Sequence, residues 1–148
     1  MRSRILFIAI VFALLSCQKE KDEKPIQDEF KTPILTEKAW KIVRAESKSK
    51  IDDPWYVDSQ WWPDCVKDDQ LLFKINNSYT HSNGAEKCDP MDPDIFDEAR
   101  WKFLDNETRI EMDGDTLNIE TLNHQQFIMW ASETIGSNTY YSRYTLEH

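Results

Sequence analysis

The sequence predicts an all-β protein, one domain of about eight short antiparallel strands arranged as a barrel or as a sandwich. Two observations predict this class. Apolar and polar side chains alternate along several short segments after residue 70, which is the period of strands with one buried face. The chain also has only three glycines, each in a turn-like string. Two of these strings, Asn83-Gly84 and Asp113-Gly114, favour hairpin turns, whose central residues need positive φ.

The domain is expected to begin with a short helical turn over residues 36–40, capped by Thr36, which leads into a strand from Trp40 to Glu46. The next segment, residues 47–66, has no clear period. It contains the aromatic residues Trp55, Tyr56, Trp61 and Trp62. Because long loops without regular structure are uncommon in compact domains, we interpret this segment as a plug or lid of the domain, or as a binding loop.

The strands that follow are separated by turn-forming residues. Further turns are predicted at Asn76-Asn77-Ser78, at Asp105-Asn106 and around Gly136. The segments between the turns carry apolar residues at alternate positions: Leu71, Phe73 and Ile75; Trp101 and Phe103; Ile110 and Met112; Leu117 and Ile119; Phe127, Met129 and Ala131; Tyr140 and Tyr144. Three of these inward aromatic residues, Phe73, Trp101 and Phe127, are expected to form the core together with Trp40.

The N-terminus has the organisation of a secretory signal. Arg2 and Arg4 precede an unbroken apolar run from Ile5 to Leu15, which is too short for a membrane span of about 20 residues and suits a signal h-region. The run ends in Leu14-Leu15-Ser16-Cys17, which resembles a bacterial lipobox. The resemblance implies that residues 1–16 are a lipoprotein signal peptide, cleaved before Cys17, and that Cys17 carries the acyl chains of a membrane anchor.

Residues 17–32 are expected to be the lipidated cysteine followed by a charged, flexible tether. Residues 18–24 are all polar, so nothing there can pack into a core. The acidic stretch after Cys17 also resembles the export sequence of Bacteroidetes surface lipoproteins. An outer-membrane lipoprotein is therefore predicted, and the sequence leaves open whether its domain faces the periplasm or the cell surface.

Composition excludes one function class and gives no support to another. The formal charge is −9, and no cluster of Lys or Arg rises above it, so nucleic-acid binding, which needs a basic footprint, is excluded. The three histidines are far apart in sequence and form no known catalytic or metal-ligand motif. We therefore expect no enzyme activity, no metal site and no cofactor. No feature of the sequence identifies a protein partner.

Two cysteines remain in the domain, Cys65 and Cys88. An even pair in an oxidising envelope compartment predicts a disulfide. The bond would tie the end of the aromatic segment to the region that follows the first hairpin. It would close a loop of about 24 residues, worth roughly 3 kcal/mol in the chain-entropy description.

Residues 33–148 form the predicted domain, and most of it, residues 33–146, resembles the lipocalin-like domains of Bacteroidetes lipoproteins. The resemblance rests on the order of dispersed markers: Leu35 and Trp40; Asp64-Cys65 and Asp68-Asp69 before Leu72-Phe73; Tyr79; Cys88; Trp101-Lys102-Phe103; Ile110, Leu117, Ile119 and Phe127. It implies a small up-and-down β-barrel and neither a catalytic activity nor a particular ligand.

These observations predict a membrane-anchored lipoprotein whose barrel binds a small apolar or amphipathic ligand. The expected site is the barrel mouth near Trp55, Tyr56, Trp61 and Trp62, since Trp and Tyr offer a large apolar face and one hydrogen-bonding group. The alternative is a non-catalytic interaction or structural module at the cell surface, with a filled barrel. Interior volume distinguishes the two, because a barrel of this size either is filled by its own side chains or holds one small molecule.

Overall fold

Nine antiparallel strands form a single sheet in the part of the chain that the computed structural model describes, residues 30–58 and 63–148. One short helix, α1 (Lys31–Leu35), precedes them. The strands are β1 (Lys41–Lys48), β2 (Tyr56–Val57), β3 (Gln70–Phe73), β4 (Ser78–Ser82), β5 (Ile95–Leu104), β6 (Arg109–Met112), β7 (Asp115–Leu122), β8 (Gln126–Ile135) and β9 (Asn138–Glu147). The predicted all-β, antiparallel class is confirmed.

The sheet order is β2-β1-β9-β8-β7-β6-β5-β4-β3. Strands β3 to β9 each pair with the next along the chain, and β1 joins the far side by pairing with β9. The predicted sandwich is excluded because there is one sheet, and the predicted closed barrel is not reached because β2 and β3 remain as edges. Among the described residues, the two ends meet at one pair, where Trp40 and Leu71 exchange two backbone hydrogen bonds of 2.8 Å.

Four of the predicted turns are confirmed by backbone conformation. Asn77 between β3 and β4, and Asp105 and Asn106 between β5 and β6, have positive φ. Asp113 (φ 49°) and Gly114 (φ 90°) both have positive φ between β6 and β7, as a type I′ turn requires. At the last turn only Gly136 has positive φ, and Ile135 pairs with Asn138 across it.

Gly84 forms no tight hairpin, contrary to the prediction. It follows β4 and lies in the connection 83–94 that leads to β5. Its neighbour is the carboxyl of Asp68, which lies where a side chain on residue 84 would project. The same Asp68 Oδ2 accepts hydrogen bonds from the backbone N–H groups of Ala85 (2.6 Å) and Glu86 (3.2 Å). Glycine is needed here for close approach, not for a turn.

The predicted helical turn is also displaced. The helix ends before Thr36, whose backbone N–H and side-chain hydroxyl both donate to the carbonyl of Thr32, at 3.0 and 2.9 Å. Thr36 therefore closes the C-terminal end of α1 instead of capping a helix that starts there. Pro33 lies in the first turn of α1, where the missing N–H has no helical partner to lose.

The core lies on one face of the curled sheet, at the end nearest α1. Leu35 is fully buried, and the indole Nε1 of Trp40 donates to its carbonyl at 2.9 Å. Phe73 packs edge-to-face against both Trp101 and Phe127, a favoured aromatic geometry. All four aromatic residues predicted as core, those three and Trp40, are at most 3% exposed.

The predicted disulfide between Cys65 and Cys88 is present, with 5.2 Å between the Cα atoms. It joins a short 3₁₀ turn, Asp64–Val66, to the connection 83–94. The bond therefore fixes the segment before β3 to the loop after β4. Together with the Asp68 hydrogen bonds, it holds an irregular region that has little apolar core of its own.

The predicted signal peptide, Cys17, most of the tether, and Trp61 and Trp62 lie outside the described residues. Within those residues, no helix has the length and apolar character needed to cross a membrane.

Candidate ligand-binding site

A cavity of about 730 Å³ opens on the core face of the sheet, at the end away from α1. Its wall is contributed by β1, β3, β4 and β6 to β9, with the turn between β6 and β7. The cavity and the core therefore divide one interior: side chains fill the end near α1, and the other end is open.

A pair of small inward side chains on two neighbouring strands contributes to this opening. Phe127 of β8 pairs with Leu146 of β9 in the core, and both are fully buried. Four residues further along β8, Ala131 pairs with Ser142 of β9, and both line the cavity. Two small side chains at this level cannot fill the width that Phe127 and Leu146 fill below, so the strands leave an open space.

The floor of the cavity is apolar. Leu71 and Met129 are nearly buried, at 6% and 4% exposed, and Ile42 and Leu117 pack beside them against the core. Tyr79 completes this floor with its ring stacked at a tilt on Phe73. A molecule that entered the cavity would therefore place its apolar part against an aliphatic and aromatic surface.

The rim of the cavity is acidic. Asp113 and Asp115 flank Gly114 in the β6–β7 turn, and Glu133 lies on β8, two residues beyond Ala131. These three are the cavity-lining residues, within the described part of the chain, that are charged at neutral pH, and no Lys or Arg is among the lining residues. All three side chains are exposed.

The acidic charges act on the floor as well. Burial, followed by the negative charges of Asp97, Asp113 and Asp115, raises the pKa of the Tyr79 hydroxyl above its ordinary value of 10.0. Tyr79 therefore stays neutral, and its hydroxyl donates a hydrogen bond to the Asp97 carboxylate. The negative charges of the β6–β7 turn therefore act electrostatically on the cavity floor.

A histidine–aspartate pair lies at one side of the cavity. His81 Nε2 is 4.0 Å from Asp69 Oδ2, and the His81 ring packs on Phe96 with 4.2 Å between centroids. Burial lowers the pKa of His81 below 6.5, against the opposing effect of the Asp69 and Asp97 charges. Burial also raises the pKa of Asp69, although an N–H from Gly84 opposes the rise. Burial thus shifts the pKa of each group in the direction of its neutral form.

The aromatic residues predicted to bind the ligand do not lie at this cavity where they are described. Trp55 is packed against cations, with Lys48 Nζ and Arg143 Cζ each 4.7 Å from its ring centroid. Tyr56 lies on the edge strand β2 and is 61% exposed. Neither lines the cavity. A binding role for Trp55 and Tyr56 stays a prediction from sequence, as it does for Trp61 and Trp62.

The acidic residues that define the rim are not among the site residues predicted from the sequence. Glu133 was within reach of prediction, because it continues the alternate series Phe127, Met129 and Ala131 toward the open end. Asp113 is expected only as part of the Asp113-Gly114 turn, and nothing in the local pattern distinguishes Asp115. The residue pattern places a turn at the end of two strands, but it does not say which end of the interior is open.

Within the described residues, no group of three or more His, Cys, Asp or Glu side chains is arranged to hold a metal ion. No protein-family model matches the chain, and no curated protein matches it.

Proposed function

We propose that this protein is an outer-membrane lipoprotein, anchored through an acylated Cys17, whose β-domain binds a small apolar or amphipathic molecule without catalysing its conversion. The observation that carries the proposal is the cavity of about 730 Å³ with its apolar floor and polar rim. Ligand pockets in proteins typically have volumes of about 300–1,000 Å³, mostly apolar walls and a few polar groups that orient the ligand.

The architecture we propose for this domain is a lipocalin-like up-and-down barrel whose closure between the two ends of the sheet is incomplete. Support comes from the sequential antiparallel order of β3 to β9 and from the Trp40–Leu71 pair, which brings the two ends of the sheet together. The core at the α1 end would act as a plug, so that the cavity has one entrance.

The membrane anchor rests on the N-terminal sequence. The basic residues, the short apolar run and the Ser16-Cys17 junction follow the order expected of a lipoprotein signal. The remaining chain is acidic and would be repelled by anionic headgroups, so attachment would come from the acyl chains, of which stable anchoring needs more than one. The charged residues after Cys17 would hold the domain away from the bilayer.

The rival hypothesis, a non-catalytic surface module with a filled barrel, has support at one end of the interior. Trp40, Phe73, Phe127, Ile110 and Leu146 are at most 1% exposed and leave that end packed. The small residues Ala131 and Ser142 argue against filling at the other end. The two hypotheses differ in whether the purified protein carries or takes up a small molecule.

Native mass spectrometry tests the proposal. The sample is the chain from residue 17 with Cys17→Ser, which keeps all described residues, purified from an oxidising compartment. We expect extra mass that disappears on solvent extraction, or that appears after exposure to envelope lipids. A bare protein mass under both conditions would contradict ligand binding and favour the filled module.

A cavity-filling variant locates the site. Ala131→Trp places a large ring between β8 and β9 at the level of Ser142, and we expect it to abolish uptake. Thr134→Trp is the matched control, because Thr134 is on the same strand, is exposed, and bonds Thr139 at 3.0 Å outside the cavity lining. Equal uptake by the two variants would place the bound molecule elsewhere.

A further inference from the structure

We infer that the ligand is an amphiphile with a positively charged group, such as an amine or a quaternary ammonium, and that this group lies among Asp113, Asp115 and Glu133 at the cavity rim. The inference rests on the proposed function and specifies its ligand class. An anionic amphiphile such as a fatty acid would be a poor ligand.

The first step is the division of the cavity into an apolar floor and a charged entrance. The floor is made of Leu71, Met129, Ile42 and Leu117, which can receive a hydrocarbon chain. A chain seated there leaves its polar end at the rim. The groups at the rim therefore meet the headgroup, and their charge selects it.

The second step is the sign of that charge. The two aspartates of the β6–β7 turn and Glu133 of β8 stand at the rim, and Lys and Arg are absent from the cavity lining in the described chain. No ion pair among the described residues involves any of the three acids. Other exposed acids of the protein, such as Asp64 and Asp94, are paired with lysines. The rim charge is therefore available to a ligand.

The third step is that the negative potential extends into the cavity. Burial comes first among the causes that raise the pKa of Tyr79, a floor residue, and the charges of Asp97, Asp113 and Asp115 add to it. His81, the lining residue that could offer a positive charge, has its pKa lowered by burial and is neutral near pH 7. A carboxylate headgroup would meet repulsion with no Lys or Arg among the lining residues to compensate, whereas an ammonium group would be attracted by the acidic rim.

The test compares three probes that share one decyl chain: decyltrimethylammonium, the neutral decyldimethylamine oxide, and decanoate. Binding to the chain from residue 17 with Cys17→Ser is measured by isothermal titration calorimetry near pH 7, below the concentration at which the probes form micelles. We expect the cation to bind at least about tenfold more tightly than decanoate, which corresponds to about 1.4 kcal/mol, with the neutral probe between them. Added salt should narrow the difference, since exposed charges are screened.

A variant without the three rim carboxylates tests whether they cause the preference for the cationic probe. Asp113→Asn, Asp115→Asn and Glu133→Gln are combined, and asparagine suits the positive φ of position 113. The matched control combines Asp52→Asn, Glu86→Gln and Glu98→Gln, which change the net charge equally but lie outside the cavity lining. We expect the rim variant to lose the cation preference while keeping its affinity for the neutral probe, and the control to behave as the parent.

The outcomes separate the two proposals. If decanoate or the neutral probe binds as tightly as the cation, ligand binding stands and the inferred ligand class is wrong. If the control variant loses the preference as fully as the rim variant, overall charge is responsible and the inference is again wrong. If none of the probes binds, the proposed function fails and the inference fails with it.

Discussion

Glu46 is a buried carboxylate that binds two arginines on the outer face of the sheet. It is 3% exposed on β1 and receives hydrogen bonds and ion pairs from Arg44 (2.7 Å) and from Arg143 of β9 (2.7 and 2.8 Å). Arg143 in turn stacks on Trp55. One charge thus positions two arginines, and the second arginine holds the segment that leads to β2. A buried charge of this kind is tolerated only because it is paired.

Replacing Glu46 by glutamine should lower the free energy of unfolding by about 2 kcal/mol, because charge-assisted hydrogen bonds to a buried acceptor are lost while the side-chain shape is kept. Glu120→Gln is the control, since Glu120 meets the same Arg143 at 3.5 Å but is exposed, and should change stability by less than about 1 kcal/mol. Urea denaturation measures both. Equal losses of unfolding free energy in the two variants would show that the burial of Glu46 does not strengthen its interaction with Arg143.

His81 should give the protein a pH-dependent stability. Its folded pKa lies below the 6.5 expected of the unfolded chain because burial disfavours the charged ring. The unfolded state therefore takes up the proton first as pH falls. The stability that His81 contributes is complete above about pH 6.5 and is lost as pH falls toward the folded pKa.

Titration of the His81 ring protons by NMR measures this pKa directly, with His81→Gln to assign the signal. We expect a midpoint below 6.5, and the unfolding free energy of the parent should fall more steeply than that of the variant between about pH 7 and pH 5. A midpoint at or above 6.5 would mean that the charges of Asp69 and Asp97 outweigh burial.

At the scale of elements, the glycines serve two different purposes. Gly114 supplies a positive φ in the β6–β7 turn, and nothing lies within 4 Å of the position a Cβ would take. Gly84 lies against the Asp68 carboxyl, which accepts N–H groups from the connection 83–94. Glycine is needed at position 114 because of its backbone conformation. It is needed at position 84 because a side chain there would overlap Asp68.

Gly114→Ala should therefore cost about 1 kcal/mol through backbone strain alone. Gly84→Ala should cost more, since the new methyl group overlaps Asp68 and displaces a carboxyl that orders the loop beside the disulfide. Thermal or urea unfolding compares the two variants, and hydrogen exchange at Ala85 and Glu86 should rise only in the second. Unchanged protection of these amides in Gly84→Ala would contradict the role given to Asp68.

At the scale of the whole molecule, the proposed anchor at Cys17 would decide where the cavity is presented. If Cys17 is acylated, the parent chain expressed in a Gram-negative host should partition with membranes and incorporate labelled fatty acid. Cys17→Ser should abolish the label and release the domain into the soluble fraction, because the acidic domain has no affinity of its own for anionic headgroups. A variant that stays membrane-bound would indicate another mode of attachment.

The strand pattern gave the class and most of the local structure. Alternation marked β3 and β5 to β9, and turn chemistry marked Asn77, Asp105 and Gly114, because side-chain period and positive φ are local properties. The hairpin predicted at Gly84 is wrong because glycine is needed there for contact with Asp68, which lies sixteen residues earlier in the sequence. The helix cap predicted at Thr36 is wrong because a threonine hydroxyl can also donate to a carbonyl of the preceding turn, as Thr36 does to Thr32.

The sequence by itself determined an antiparallel all-β domain, its apolar face, the Cys65–Cys88 pair and an N-terminal region typical of a lipoprotein. These follow from period, spacing and composition. Only the tertiary structure decided where the interior is filled and where it is open, and that Trp55 packs on Arg143 outside the cavity. Those features depend on which strands become neighbours, since the Phe127–Leu146 and Ala131–Ser142 pairs exist only once β8 and β9 are in register.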